Sequence, residues 1–296
     1  MSSSAKRSAA ACAVTVASAL AASVAYSWAA PEGQEIPNFT PSSDSSWQVN
    51  FWDYILPPPE GSGHGPILTD PKYPYNSQIQ NCGLFRGGEF QVAIVNSSDP
   101  ALKPWAAKQM QETNEELLSG KRKLGFVPQS RCWPGGVPNI DLFLEPVYFL
   151  QTPKEVTIVW QRNNLVRHVY LTDKHSADVK PSWFGESIGH YEGNDTLVVD
   201  TIGISGGKYH YIDNFRTPHT EKLHVVERFT ISPDKKKLNA VIKVEDPDTF
   251  NEPLTLRQEW RRSNLSYEES ICAEDGGEDH FQQNLEPIPV AQKTDF

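Results

Sequence analysis

The sequence predicts a mainly β protein: an antiparallel, up-and-down β-barrel preceded by one α-helix and an irregular N-terminal arm. Three observations carry this expectation. From Val147 onward the apolar residues recur with a period of two. The runs are separated by short turn signals rather than long crossovers. There are about eight or nine of them, enough for a sheet to curl shut and remove its exposed edges.

The first segment, residues 1–29, reads as a secretory signal peptide. Lys6 and Arg7 make a short cationic start, an Ala/Val-rich run follows, and Ser27 and Ala29 suit the −3 and −1 positions of a signal-peptidase site. A periplasmic or extracellular bacterial location is expected, with no membrane span once the leader is removed. Residues 30–98 are rich in Pro, Gly, Ser and Asn, which break ladders and helices, so an irregular arm is expected there. Its Trp47, Phe51, Trp52 and Tyr54 argue that part of it docks, because aromatic side chains are costly to leave in water.

A helix is expected over 99–120. Asp99 can cap it, Pro100 fits its first turn, Leu102, Trp105, Ala106, Met110 and Leu117 follow a helical stripe, and Gly120 stops it. The barrel domain is placed at 121–285, with a tail at 286–296. The strand-like runs are VYFLQT, EVTIVWQR, LVRHVYLT, SIGHYEG, DTLVVDTIG, KLHVVERFTIS, KKLNAVIKVED, EPLTLRQEWRR and LSYEESIC. Asn163-Asn164 and Gly193-Asn194 tolerate the positive φ of tight turns, and Asp234 with Lys235 marks another hairpin.

Alternation sorts the faces. Val225, Glu227, Phe229 and Ile231 form the more apolar row of their strand and should face inward, with His224, Val226, Arg228 and Thr230 outward. An inward Glu227 needs a partner from a neighbouring strand, such as Arg167 or Arg257. Leu254, Leu256, Gln258 and Trp260 form another row, and Glu, Gln and Trp among aliphatic residues suggest a lined pocket.

The motifs SRCWPGGVP, QTPKEV, WFGESIGHYEGNDTLVVDTIG and TPHTEKLHVVERF resemble those of a family of secreted bacterial proteins of unknown function, over about residues 100–285. The resemblance implies export and no particular reaction. The meander also resembles the calycin barrels, lipocalins among them, and that likeness implies an internal pocket.

Composition narrows the partners. Removing residues 1–29 takes two basic residues and no acid, leaving 25 basic against 37 acidic side chains. Such a surface repels phosphate backbones, so no nucleic-acid partner is expected. Cys82, Cys132 and Cys272 remain after the leader. A Cys132–Cys272 bridge would tie the two ends of the β region, worth about 2–4 kcal/mol, and Cys82–Cys132 is the alternative.

The densest polar stretches supply candidate catalytic residues: Asp173, His175, His190, Asp200, His219 and Glu227. A carboxylate orienting an imidazole makes a general acid/base pair poised near neutral pH. His224, Arg228, Trp183, Gln258 and Trp260 are candidate ligand contacts, with His219 and His224 expected at the barrel rim. The histidines lack metal-ligand spacing, so no metal site is assigned and any cofactor is left open. No Gly-rich strand-to-helix loop occurs, which disfavours nucleotide chemistry. The expectation is a barrel binding a small, largely apolar organic molecule, with His/carboxylate chemistry of the isomerase, lyase or hydratase type. The alternative is a non-catalytic carrier or an envelope-assembly component docking on a protein partner through the aromatic arm.

Overall fold

The structure is a computed structural model, and it describes residues 36–40, 45–49, 56–73, 93–122, 125–143, 145–270 and 272. The expected leader, Cys82, the arm aromatics at 51–54 and the C-terminal tail lie outside the described residues.

Nine strands close into a barrel in sequence order. They are β1 (Ser46–Val49), β2 (Val147–Gln151), β3 (Glu155–Trp160), β4 (Leu165–Tyr170), β5 (Glu186–Glu192), β6 (Thr196–Ile202), β7 (His224–Ile231), β8 (Lys237–Glu245) and β9 (Leu254–Ser263). The expected barrel and the single helix before it are present. Two details differ. The segment expected to be irregular supplies β1, which closes the barrel by pairing Val49 with Trp260 of β9 and Trp47 with Val147 of β2. Trp47 explains the docking, because its ring is fully buried and its indole N–H donates to the carbonyl of Phe39 at 3.0 Å. At the other end, LSYEESIC forms no strand. It runs beside the β3–β4 hairpin, held by Gln161 to the carbonyl of Glu268 at 3.1 Å and by Asn164 to that of Ser270 at 2.8 Å. That path delivers Cys272 to Cys132, which are joined as a disulfide with their Cα atoms 5.6 Å apart.

The helix, α1 (Pro104–Leu118), begins later than Asp99 would place it. The Asp99 carboxylate instead accepts from the Ala101 N–H at 2.9 Å, and Lys103 N–H reaches Thr249 O at 2.8 Å. Residues 101–103 are thereby tied along the barrel, and Pro104 takes the first-turn place expected of Pro100, where a missing N–H does no harm. Gly120 ends the helix as expected, in the left-handed region at φ 71°.

The alternation rule holds through the barrel. Val225, Glu227, Phe229 and Ile231 are buried, as are Leu238, Ala240, Ile242, Val244, Leu254, Leu256, Gln258 and Trp260. Phe39, Phe149, Phe229 and Trp260 make successive ring contacts through the interior, at 4.9, 5.7 and 6.2 Å. Burying each such side chain stabilises the fold by about 1.5–3 kcal/mol.

One seam departs from the antiparallel plan. Residues 171–185 cross over between β4 and β5, and these strands pair in parallel through only Val169↔Ser187 and Tyr170↔Ile188. A parallel pair requires such a crossover. Gly189 faces inward near this seam, where a Cβ would meet Val169 Cγ1 at 2.7 Å.

Candidate functional site: the seam between β4 and β5

Side chains bridge the seam where the backbone ladder is thin. On the inside, Arg167 of β4 reaches three strands. Its Nε donates to Ser187 Oγ on β5 at 3.0 Å, Nη2 to Thr201 Oγ1 on β6 at 2.7 Å, and Nη1 to Glu227 Oε1 on β7 at 2.8 Å. Nη2 also donates to Glu227 Oε2, making the pair bidentate. Both partners are fully buried, so Glu227 has one of the two arginine partners expected for it.

Asp141 approaches the same guanidinium, with its Oδ2 3.8 Å from Nη1. It is carried in by the short 3-10 turn Asn139–Leu142. Burial, then the charge of Glu227, push the Asp141 carboxyl well up. Arg167 keeps its proton more tightly than usual: burial opposes the charge, and Glu227 and Asp141 outweigh it.

Outside the barrel, a second polar row runs from the crossover over β5, β6, β7 and β8. His175, on the crossover, places Nδ1 3.1 Å from Glu186 Oε1 on β5 and Nε2 2.8 Å from Asp200 Oδ1 on β6. His224 of β7 lies 3.1 Å from Asp200 Oδ2 and 3.5 Å from Glu245 of β8. The register explains the row: His224 stands opposite Glu245, and Asp200 lies one diagonal step from His224 and from Glu186. The hydrogen bond from His224, then that from His175, hold Asp200 below the usual carboxylate range against a burial that opposes them, and the bond to Asp200 raises His224. Burial acts on Glu186 upward, yet the Ser176 hydroxyl and N–H, with His175, bring it down. These groups spread along a line, and among the described residues no three gather around a point as metal ligands.

Between the two networks lies a cleft of about 310 Å³ lined by Val166, Arg167, His168, Tyr170, Val179, Lys180, Phe184, Gly185, Glu186 and Ser187. Its volume is at the lower end of the range for small-molecule sites. His168 projects into it from the outer face of β4. Its Nδ1 is 2.5 Å from Glu155 on β3, and its ring lies nearly parallel to that of Tyr170 at 6.4 Å. The bond from His168, helped by Thr157, keeps Glu155 ionised to lower pH than usual. A carboxylate thus orients an imidazole whose Nε2 has no hydrogen-bond partner among the described residues. That is the arrangement of a general base.

His168 was not among the sequence candidates, though a signal existed. Counting outward from the Asn163-Asn164 turn pairs Thr157 with His168 and Glu155 with Tyr170, which puts Glu155 diagonal to His168 on one face.

The sequence candidates divide. His175, Asp200 and His224 are brought together, and Glu186 links them to the cleft. Glu227, Gln258 and Trp260 sit in the barrel interior. His190 and Arg228 share Glu192 on the exposed outer wall, where the arginine holds that carboxylate down to about 2. Asp173 is exposed in the turn after β4. Trp183 stacks on His210 at 4.0 Å, away from the barrel interior.

The expected joint rim site of His219 and His224 is not formed. His219 is buried, its Nδ1 is 2.9 Å from the carbonyl of Thr220, and burial lowers its pKa to about 4. The loop before β7 folds inward over the barrel, whereas His224 points out from the strand itself. Compared with family models, with curated proteins and with solved structures, the chain matches none.

Proposed function

We propose that this protein is an exported barrel that binds a small, largely apolar organic molecule in the β4–β5 cleft and performs acid/base chemistry on it through His168. The observation that carries this reading is the His168–Glu155 pair in the wall of a cleft that Val166, Tyr170, Val179 and Phe184 line in part. Abstracting a proton, or returning one to a neighbouring carbon or oxygen, needs an oriented imidazole and a site that excludes bulk water. Glu155 supplies the orientation, and the half-buried Val179 and Phe184 supply a sheltered apolar wall.

Ligand-observed NMR over a panel of small aromatic and alicyclic molecules tests the binding half. Hits should weaken strongly in Phe184→Ala; hits of unchanged affinity would place binding elsewhere. His168→Asn tests the chemistry. Turnover of a converted hit should fall by about 10²–10⁴-fold with binding retained, and unchanged turnover would reject His168 as the base. Export is tested by the N-terminus of the protein recovered from the periplasm, which should begin just after Ala29.

A further inference from the structure

We infer that the cleft selects small organic anions, an aromatic carboxylate in particular, with Lys180 as the specificity-determining residue. This rests on the cleft being the binding site, as proposed above.

The inference follows from accounting for every polar group in the lining. The Arg167 guanidinium is directed inward and neutralised by Glu227. Ser187 Oγ is held by Arg167 and Thr201. Both oxygens of Glu186 are engaged, Oε1 by His175 and the Ser176 N–H, Oε2 by the Ser176 hydroxyl. His168 has given Nδ1 to Glu155. What remains for a ligand is the Nε2 of His168, the hydroxyl of Tyr170 and the ammonium of Lys180, which pairs with no carboxylate among the described residues.

The chain as a whole carries a net charge of −10, and the cleft's own carboxylate, Glu186, is engaged by His175 and Ser176, which leaves Lys180 as the charge in the lining without a carboxylate partner among the described residues. Such a cation gives anions one place to bind on an otherwise repelling surface. The apolar lining sets the rest of the molecule. Tyr170 and Phe184 offer ring faces and Val166 and Val179 aliphatic walls, a match for a compact aromatic or alicyclic body.

The test uses the purified protein with two probes of the same shape, phenylacetate and phenylacetamide, titrated by NMR. Phenylacetate should bind at least fivefold tighter than the amide, and more weakly as salt is raised. Lys180→Gln should remove about fivefold to tenfold of that affinity and leave the amide unchanged; Lys180→Glu should abolish phenylacetate binding. Lys180 is exposed, so neither variant threatens the fold. Equal binding of both probes, still sensitive to Phe184→Ala, would overturn the charge selectivity while leaving the cleft as the site. Binding of neither probe, or binding indifferent to Phe184→Ala, would overturn the site and this inference with it.

Discussion

Two networks of charge lie on opposite sides of the barrel wall and share β5, β6 and β7. Inside, Arg167, Glu227 and Asp141 are about 1 % exposed or less; outside, His175, Asp200 and His224 are 17 %, 38 % and 36 % exposed. The inner set bridges a seam that the backbone joins through only two residue pairs, and the outer set ties down the crossover beside it. The solvent around them makes them different devices. A buried charge left alone is severely penalised, so the inner set acts as an all-or-none lock. The outer set is screened and hydrated, so it is weak, adjustable and responsive to pH.

The largest expected effect comes from breaking the lock. Glu227→Ala strands the Arg167 charge and should cost about 3–5 kcal/mol in guanidinium unfolding. Arg167→Met with Glu227→Leu should recover most of that loss, because two matched apolar side chains leave no unpaired charge. A loss as large in the double variant as in the single one would show that the network has a function beyond neutralising itself.

Next in size is acid sensitivity. A buried His219 with a pKa near 4, against an ordinary value near 6.5, leaves the unfolded chain binding more protons between these values. Stability therefore falls as pH drops from about 6.5 to 4, by up to about 3 kcal/mol. His219→Asn, which keeps a donor for the Thr220 carbonyl, should flatten this limb of the melting-temperature profile. A slope that survives the substitution would assign it to other groups.

The outer row should show limbs of both signs at smaller amplitude. The lowered pKa of Asp200 contributes stability that is lost as pH falls through its folded value. The raised pKa of His224 contributes stability below its unfolded value, and this is lost as pH rises through the folded one. Asp200→Asn should therefore lower stability by less than about 1 kcal/mol, most at weakly acidic pH, and the effect should shrink in high salt. Its clearer signature should be faster amide exchange over 171–185, the crossover that His175 ties to the wall; unchanged exchange would separate the row from the crossover. The smallest effect is expected at the exposed Arg228–Glu192 pair, where Arg228→Ala should change stability by about 0.5 kcal/mol or less.

How much of this was legible in the sequence varies with distance along the chain. The inward row ending at Glu227 and the arginine partner Arg167 could be anticipated, because alternation sorts faces and a buried carboxylate demands a cation. The count of strands was right for partly wrong reasons: Trp47 and its neighbours in a proline-rich segment close the barrel, while LSYEESIC, which alternates like a strand, does not. Closure depended on which segment fitted the gap between β9 and β2, a long-range contest that local propensity does not register. His175, Asp200 and His224 were each visible as polar candidates, but nothing local distinguished them from His190 or His219.

The sequence by itself determined the barrel, its single helix, the facing of most strands and the cysteines at the two ends of the β region. Periodicity, turn chemistry and burial act over a few residues, so they are written locally. Only the tertiary structure decided that β4 and β5 run parallel, that a cleft opens beside them, and that His168, not the more conspicuous His219, lines it. Those outcomes depend on register between strands joined by a long crossover. There a shift of one residue exchanges inside for outside, and no short stretch of sequence specifies it.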